Sequence, residues 1–142
     1  MHRFALALLF CFVLAPMAHA QTRIAGDWQG TLDSNDQTYR IAWHVTAAAD
    51  GTLTSTIDNL DEQIFGIKVK STVVKERTLT LIVDDTVESN GEDITIRGTT
   101  AGTFNDDMTE LTGTWTQTDP DQPPVHFMLK HVPAQPKAPP AS

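Results

Sequence analysis

The chain has 142 residues, with 10 basic against 18 acidic side chains and a formal net charge of −8, and 40% of it is hydrophobic, which is enough for one globular domain. The acidic balance excludes the basic footprint that nucleic acid or an anionic membrane surface requires. A single cysteine, Cys11, excludes a disulfide framework.

Residues 1–20 read as an export signal. Met1-His2-Arg3 gives a positive start, Phe4 to Ala15 is a run of twelve apolar residues, and Pro16 breaks that run ahead of the small-x-small site Ala18-His19-Ala20. Cleavage after Ala20 leaves a secreted or periplasmic chain with no membrane anchor, because a spanning helix needs about 20 apolar residues. Cys11 is not placed as a lipid-modified cysteine, since Phe10 and Leu8 stand where small residues are wanted. The mature chain then has no cysteine and keeps 9 basic residues against 18 acidic ones once Arg3 is lost.

From residue 21 onward the hydrophobic period is close to two, which predicts strands and turns throughout. Ile24, Gly26, Trp28, Gly30 and Leu32 share one face of a first strand, and Asp33 to Asp36 is a turn cluster. Tyr39, Ile41, Trp43 and Val45 alternate with Arg40, Ala42, His44 and Thr46 in a second strand, and Ala49-Asp50-Gly51 turns the chain into a third, Leu53 to Ile57. The loop 58–63 and Ile64-Phe65-Gly66 lead to a fourth, in which Ile67, Val69, Ser71 and Val73 share a face. Leu79, Leu81 and Val83 form a fifth strand, Asp84 to Asp93 an acidic loop with Asn90-Gly91 at its turn, and Ile94-Ile96-Gly98 opens a sixth that runs toward Phe104. Leu111-Gly113-Trp115 is a seventh and Val125-Phe127-Leu129 an eighth, reached through the proline-rich connection 119–124.

Eight short strands joined by short turns predict an all-β domain over residues 21–132. An antiparallel up-and-down barrel of about eight strands is the first solution and a β-sandwich the alternative. In the barrel, the tryptophans of Gly26-x-Trp28 and Gly113-x-Trp115 suit structural plugging. The tail 133–142, with four prolines and no apolar period, predicts disorder.

The series Gly26-x-Trp28-x-Gly30-x-Leu32, Ile41-x-x-His44-Val45, Asp50-Gly51-x-Leu53, Gly66-Ile67-x-Val69 and Leu111-Thr112-Gly113-Thr114-Trp115-Thr116 resembles a small secreted bacterial β-barrel domain of unknown function. That domain is found alone or preceding a serine hydrolase of the α/β-hydrolase class. The likeness covers about residues 24–132 and carries no catalytic or binding residue with it. It implies a domain acting alone or in trans. Gly26-x-Trp28 also resembles the first strand of lipocalins, which implies a lipocalin-like outline for the barrel, and Gly26-Asp27-Trp28 with Ala49-Asp50-Gly51-Thr52-Leu53 resembles avidin-type barrels. The polar set that such barrels use for biotin has no match here.

Chemistry-bearing patterns are few. The chain has no Gly-x-Ser-x-Gly elbow, His44 sits on the face opposite Trp43, and His126 and His131, five apart on one strand, point to opposite faces and cannot share a metal. Asp84-Asp85, Glu92-Asp93 and Asp106-Asp107 lack the spacing and glycine of a calcium loop. The sequence therefore indicates no catalytic residue, cofactor or metal, and nothing in it specifies an oligomeric state. An eight-stranded barrel either fills its interior or holds one small ligand. The expected function is accordingly a non-enzymatic binding module for a small apolar or amphipathic ligand, with Tyr39, Trp43, Phe65 and Phe104 as candidate ligand-binding residues. The alternative is an interaction module docking on a secreted hydrolase or other envelope protein through the Phe65 loop and the acidic loops. An enzyme, the third class, would need titratable groups converging in one cleft.

Overall fold

The computed structural model describes residues 23–132, so the expected export segment 1–20 and the tail 133–142 lie outside the described residues. Eight antiparallel strands follow chain order around one closed barrel. They are β1 (Gly26–Ser34), β2 (Gln37–Ala47), β3 (Leu53–Asn59), β4 (Ile64–Lys75), β5 (Thr78–Ser89), β6 (Glu92–Phe104), β7 (Glu110–Asp119) and β8 (Val125–Val132). β8 returns to pair with β1 from Asp27↔Val132 to Asp33↔His126, which closes the sheet so that every strand has a neighbour on both sides. The barrel, not the sandwich, is the architecture.

The meander sorts its connections by end. Turns β1–β2, β3–β4, β5–β6 and β7–β8 gather at one rim, while the other three turns lie at the opposite end with both described chain ends, Arg23 and Val132. Asn35-Asp36 (φ 48° and 65°) and Asn90-Gly91 (φ 53° and 80°) make two-residue turns of left-handed conformation. Such turns match the right-handed twist of the strands they join, and Asn, Asp and Gly tolerate them best.

Two expectations about the strands change. Asp84–Asp93 is not a loop: β5 and β6 stay paired from Thr78↔Thr103 out to Ser89↔Glu92, with only Asn90 and Gly91 between them. Asp84, Glu88 and Asp93 alternate there with Val87, Ile94 and Ile96, and the carboxylates mask a strand period that holds underneath. β6 meets β7 only from Arg97 onward, so the outer part of this hairpin stands above its neighbour as a two-stranded ribbon. The second change lies on β4. A register shift between Val69 and Ser71 inserts one extra residue, which reverses the faces beyond it. Val73, expected inside, is 52% exposed, and Val74 takes the inner position at 9%.

The inner face is closed at the chain-end side by aromatic packing. Trp28 is fully buried, its ring centroid 5.9 Å from Trp43, 5.4 Å from Phe104 and 4.8 Å from His131, and its Nε1–H donates to the Ile24 carbonyl at 2.8 Å. Ile24, Leu79, Met108 and Leu111 complete the stopper. Outward positions carry the charges, including Lys68, Lys70, Asp84, Arg97 and Lys130. Apolar inside and charged outside is the inverse of a membrane barrel's pattern. No helix among the described residues is long and apolar enough to cross a membrane.

Where the barrel closes, β1 and β8 approach so tightly that a Cβ on Gly30 would lie 1.8 Å from the Met128 carbonyl oxygen and 2.8 Å from Leu129 Cα. Both obstacles are backbone, so no rotamer change relieves them. Gly30→Ala is expected to cost about 3 kcal/mol or more, at the severe end for single substitutions, measured as the shift in urea midpoint. A midpoint within experimental error of wild type would refute the close approach.

Candidate functional site

Above the stopper the barrel is hollow, with a cavity of about 450 Å³ that opens at the rim of the β1–β2, β3–β4, β5–β6 and β7–β8 turns. That volume falls in the range of small-molecule sites. One small polar side chain, Thr100, takes an inner position in the wall between the inward positions of Gly98 and Gly102.

The wall has three levels. Trp43, Leu79, Leu81, Leu111 and Leu129, all from the main core cluster, line the deep part. Ile64, Ile67 and Val83, with Ile94, Ile96 and Trp115 packed on them, line the upper part. Ser34, Asn35, Asn59, Glu62, Gln117 and Gln122 ring the mouth. An apolar barrel body with a polar collar is thus built directly from period-two strands and the polar turns that join them.

Of the four residues expected to bind, the structure brings two to the cavity. Trp43 is 1% exposed and forms part of its wall. Tyr39 lies at the half-buried mouth, its hydroxyl bonded to Gln37 Oε1 at 2.6 Å. Phe104 is on an inner position as expected, but too near the closed end, and it packs edge-on against Trp28 in the stopper. Phe65 is 58% exposed and outside the lining, displaced by the turn that Gly66 makes at φ 71°. Trp115, read from sequence as a second plug, instead lines the cavity, its Nε1–H donating to Gln117 Oε1 at 3.2 Å. A Cβ at Gly98 would sit 2.5 Å from the Trp115 ring, so that glycine makes room for the indole. Glu62, Thr100 and the mouth amides were missed because they lie on turns and register positions that periodicity alone does not place.

Outside the barrel, His44 is clamped between two carboxylates, with Nδ1 2.6 Å from Asp27 Oδ1 and Nε2 2.8 Å from Asp58 Oδ2. The strand register explains this, because Asp27 is directly opposite His44 on β1 and Asp58 stands on β3 beside Thr56, its opposite number. The other oxygen of Asp58 accepts the Gly66 N–H at 2.8 Å, tying the bridge to the connection that carries Glu62. Nearby, Asp61 accepts from the Arg40 side chain and backbone, and those bonds hold its carboxyl below the ordinary range. The hydrogen bond to Asp27, followed by Asp58, raises the pKa of His44 against the opposing effect of burial. His131 Nε2 lies 3.0 Å from the Ala25 carbonyl beside the stopper, and His126 Nδ1 lies 3.5 Å from Thr114 Oγ1 on the outer face. Among the described residues no three His, Cys, Asp or Glu side chains are placed to hold a metal ion.

Comparison with models of known families, with curated proteins and with solved structures returns no match. The geometry of the barrel therefore carries the functional argument alone.

The clamp on His44 makes a signed prediction. A histidine whose folded pKa lies above its ordinary 6.5 adds stability that is fully present below pH 6.5 and fades as pH rises through the raised value. The difference in urea midpoint between wild type and His44→Ala should be largest near pH 6 and shrink by pH 9. An unchanged difference across that window would show that the imidazolium bridge contributes nothing.

Proposed function

We propose that the protein is an exported, non-enzymatic barrel that binds one small apolar or amphipathic molecule. The observation that carries this reading is the cavity itself: about 450 Å³, closed by the Trp28 stopper, walled by leucine, isoleucine and aromatic side chains, and open at one polar mouth. An apolar space of that size in contact with water is favourable to fill, since each buried CH₂ of a ligand is worth about 0.8 kcal/mol. The placement of titratable groups supports binding over catalysis, because Glu62 is the one carboxylate in the lining and the described histidines stand elsewhere. A catalytic site would need an acid, a base or a nucleophile converging on one bound atom.

A second reading is favoured by Phe65. An exposed phenylalanine beside the mouth, on the connection that Asp58 and Asp61 brace, offers an anchor for an envelope protein docking over the rim. Phe65→Ser would weaken such a complex and leave small-molecule binding untouched.

The test of the first reading is direct. N-phenyl-1-naphthylamine, a neutral apolar fluorophore, should brighten on binding, and Ile57→Trp, which fills the lumen from a half-buried wall position, should weaken it by at least about tenfold. Equal binding by wild type and a folded Ile57→Trp protein would place the dye elsewhere and remove the support for this reading.

A further inference from the structure

The cavity has one fixed charge, and it stands at the mouth. Among the described residues the lining holds no Lys, Arg or His, and Glu62, on the connection between β3 and β4, is its one ionised group. Asn59 holds it there: Asn59 Nδ2 donates to Glu62 Oε2 at 3.1 Å, and the Glu62 N–H donates back to Asn59 Oδ1 at 3.1 Å. Both side chains line the collar, and the Glu62 carboxylate takes part in none of the ion pairs among the described residues. The Leu60 N–H donates to the Arg40 carbonyl at 3.0 Å, so this connection lies against the part of β2 where Tyr39 reaches the mouth.

The surroundings add charge of the same sign. The four connections that frame the opening, residues 35–36, 60–63, 90–91 and 120–124, carry Asp36, Asp61, Glu62 and Asp121 and no basic residue. The two arginines beside them are engaged, Arg40 by Asp61 through bonds of 2.9 and 2.7 Å and Arg97 by Asp84 and Asp119 at 3.0 and 3.5 Å. A low-dielectric cleft with charge of one sign at its opening focuses the field there. That field attracts a cation and repels a carboxylate or phosphate head. Below the collar any ionised head would lose its hydration without a counter-charge, so a charged head stays at the mouth while its hydrocarbon goes down the apolar wall.

Building on the binding role proposed above, we infer that the ligand is a cationic amphipath, an ammonium head on a hydrocarbon body. The body fills the space between the leucine and isoleucine side chains, and the ammonium rests at the collar against the Glu62 carboxylate. Tyr39, at the same part of the mouth, offers an aromatic ring that also favours a cation. Ser34, Asn35 and Gln122 supply side-chain oxygens around the same ring for the remaining N–H bonds of the head. Glu62 is thus the residue that selects the headgroup, and the wall selects the hydrocarbon.

The experiment uses three probes with the same carbon number: octylamine, protonated at neutral pH like a lysine side chain, 1-octanol and octanoate. Displacement of N-phenyl-1-naphthylamine gives the affinity of each for the wild type and for Glu62→Gln, at low and at high sodium chloride. The expected order is octylammonium, octanol, octanoate, with octylammonium about fivefold tighter than octanol, the size of one exposed ion pair with aromatic support. Glu62→Gln keeps the length of the side chain and its Asn59 contact, and it should narrow the gap between octylammonium and octanoate by at least about threefold. High salt should narrow the same gap in the wild type, and if the variant does not fold that salt dependence decides. Octanol matching octylammonium, octanoate matching either, or a preference untouched by Glu62→Gln would overturn this inference and leave the cavity reading standing. Failure of the dye and of all three probes to bind would overturn both.

Discussion

Burial of Trp28 on the first strand sets the terms for the rest of the barrel. Its indole occupies the lumen at one end, contacts residues from β2, β6 and β8, and closes that end together with Ile24, just before β1, and Met108, between β6 and β7. Burying an aromatic side chain of this size contributes on the order of 3–5 kcal/mol, a large part of a small domain's net stability. With that contribution concentrated at one end, the other end is free of the need to be full. The inner positions there are held by half-buried isoleucines such as Ile57, Ile94 and Ile96, with Thr100 deeper in the wall, and the hollow they leave is the candidate site.

Much of this was legible in the sequence. Period-two alternation in Trp28 to Leu32, Tyr39 to Val45 and Leu79 to Val83 identifies the inner faces, and Asn-Asp and Asn-Gly dipeptides identify the tight turns, so strand number and antiparallel order follow. The likeness expected from the sequence was drawn from those same structural residues, which is why it carried no ligand with it. What was not legible depends on register. A one-residue bulge on β4 exchanges Val73 for Val74, and no composition rule announces where a bulge falls. Depth along the axis was equally hidden: Phe104 and Trp115 both point inward, yet one stoppers the barrel and the other lines its cavity. The clamp on His44 needed three strands in register before Asp27 and Asp58 could be seen to share one imidazole.

The acidic stretch at the end of β5 and the start of β6 shows how charge and structure separate. As a string it reads as solvated loop; as a ribbon it places Val87, Ile94 and Ile96 on the side toward the cavity and Asp84, Glu88 and Asp93 on the outside. Where β4 leaves this ribbon, the Asp85 carboxylate accepts the Lys68 N–H at 2.9 Å and substitutes for a ladder bond. Beyond Arg97 the ribbon has no β7 partner, so its outer part is held by its own hairpin bonds and by apolar contacts with the upper wall.

The sorting of connections between the two ends has a consequence for assembly. Both described chain ends leave from the stoppered end, and every turn at the mouth is an internal hairpin. Arg23 and Val132 are therefore a barrel length from the opening. A tether, a neighbouring module or a surface attachment made at Arg23 or Val132 would hold the barrel by its closed end, like a cup held by its base.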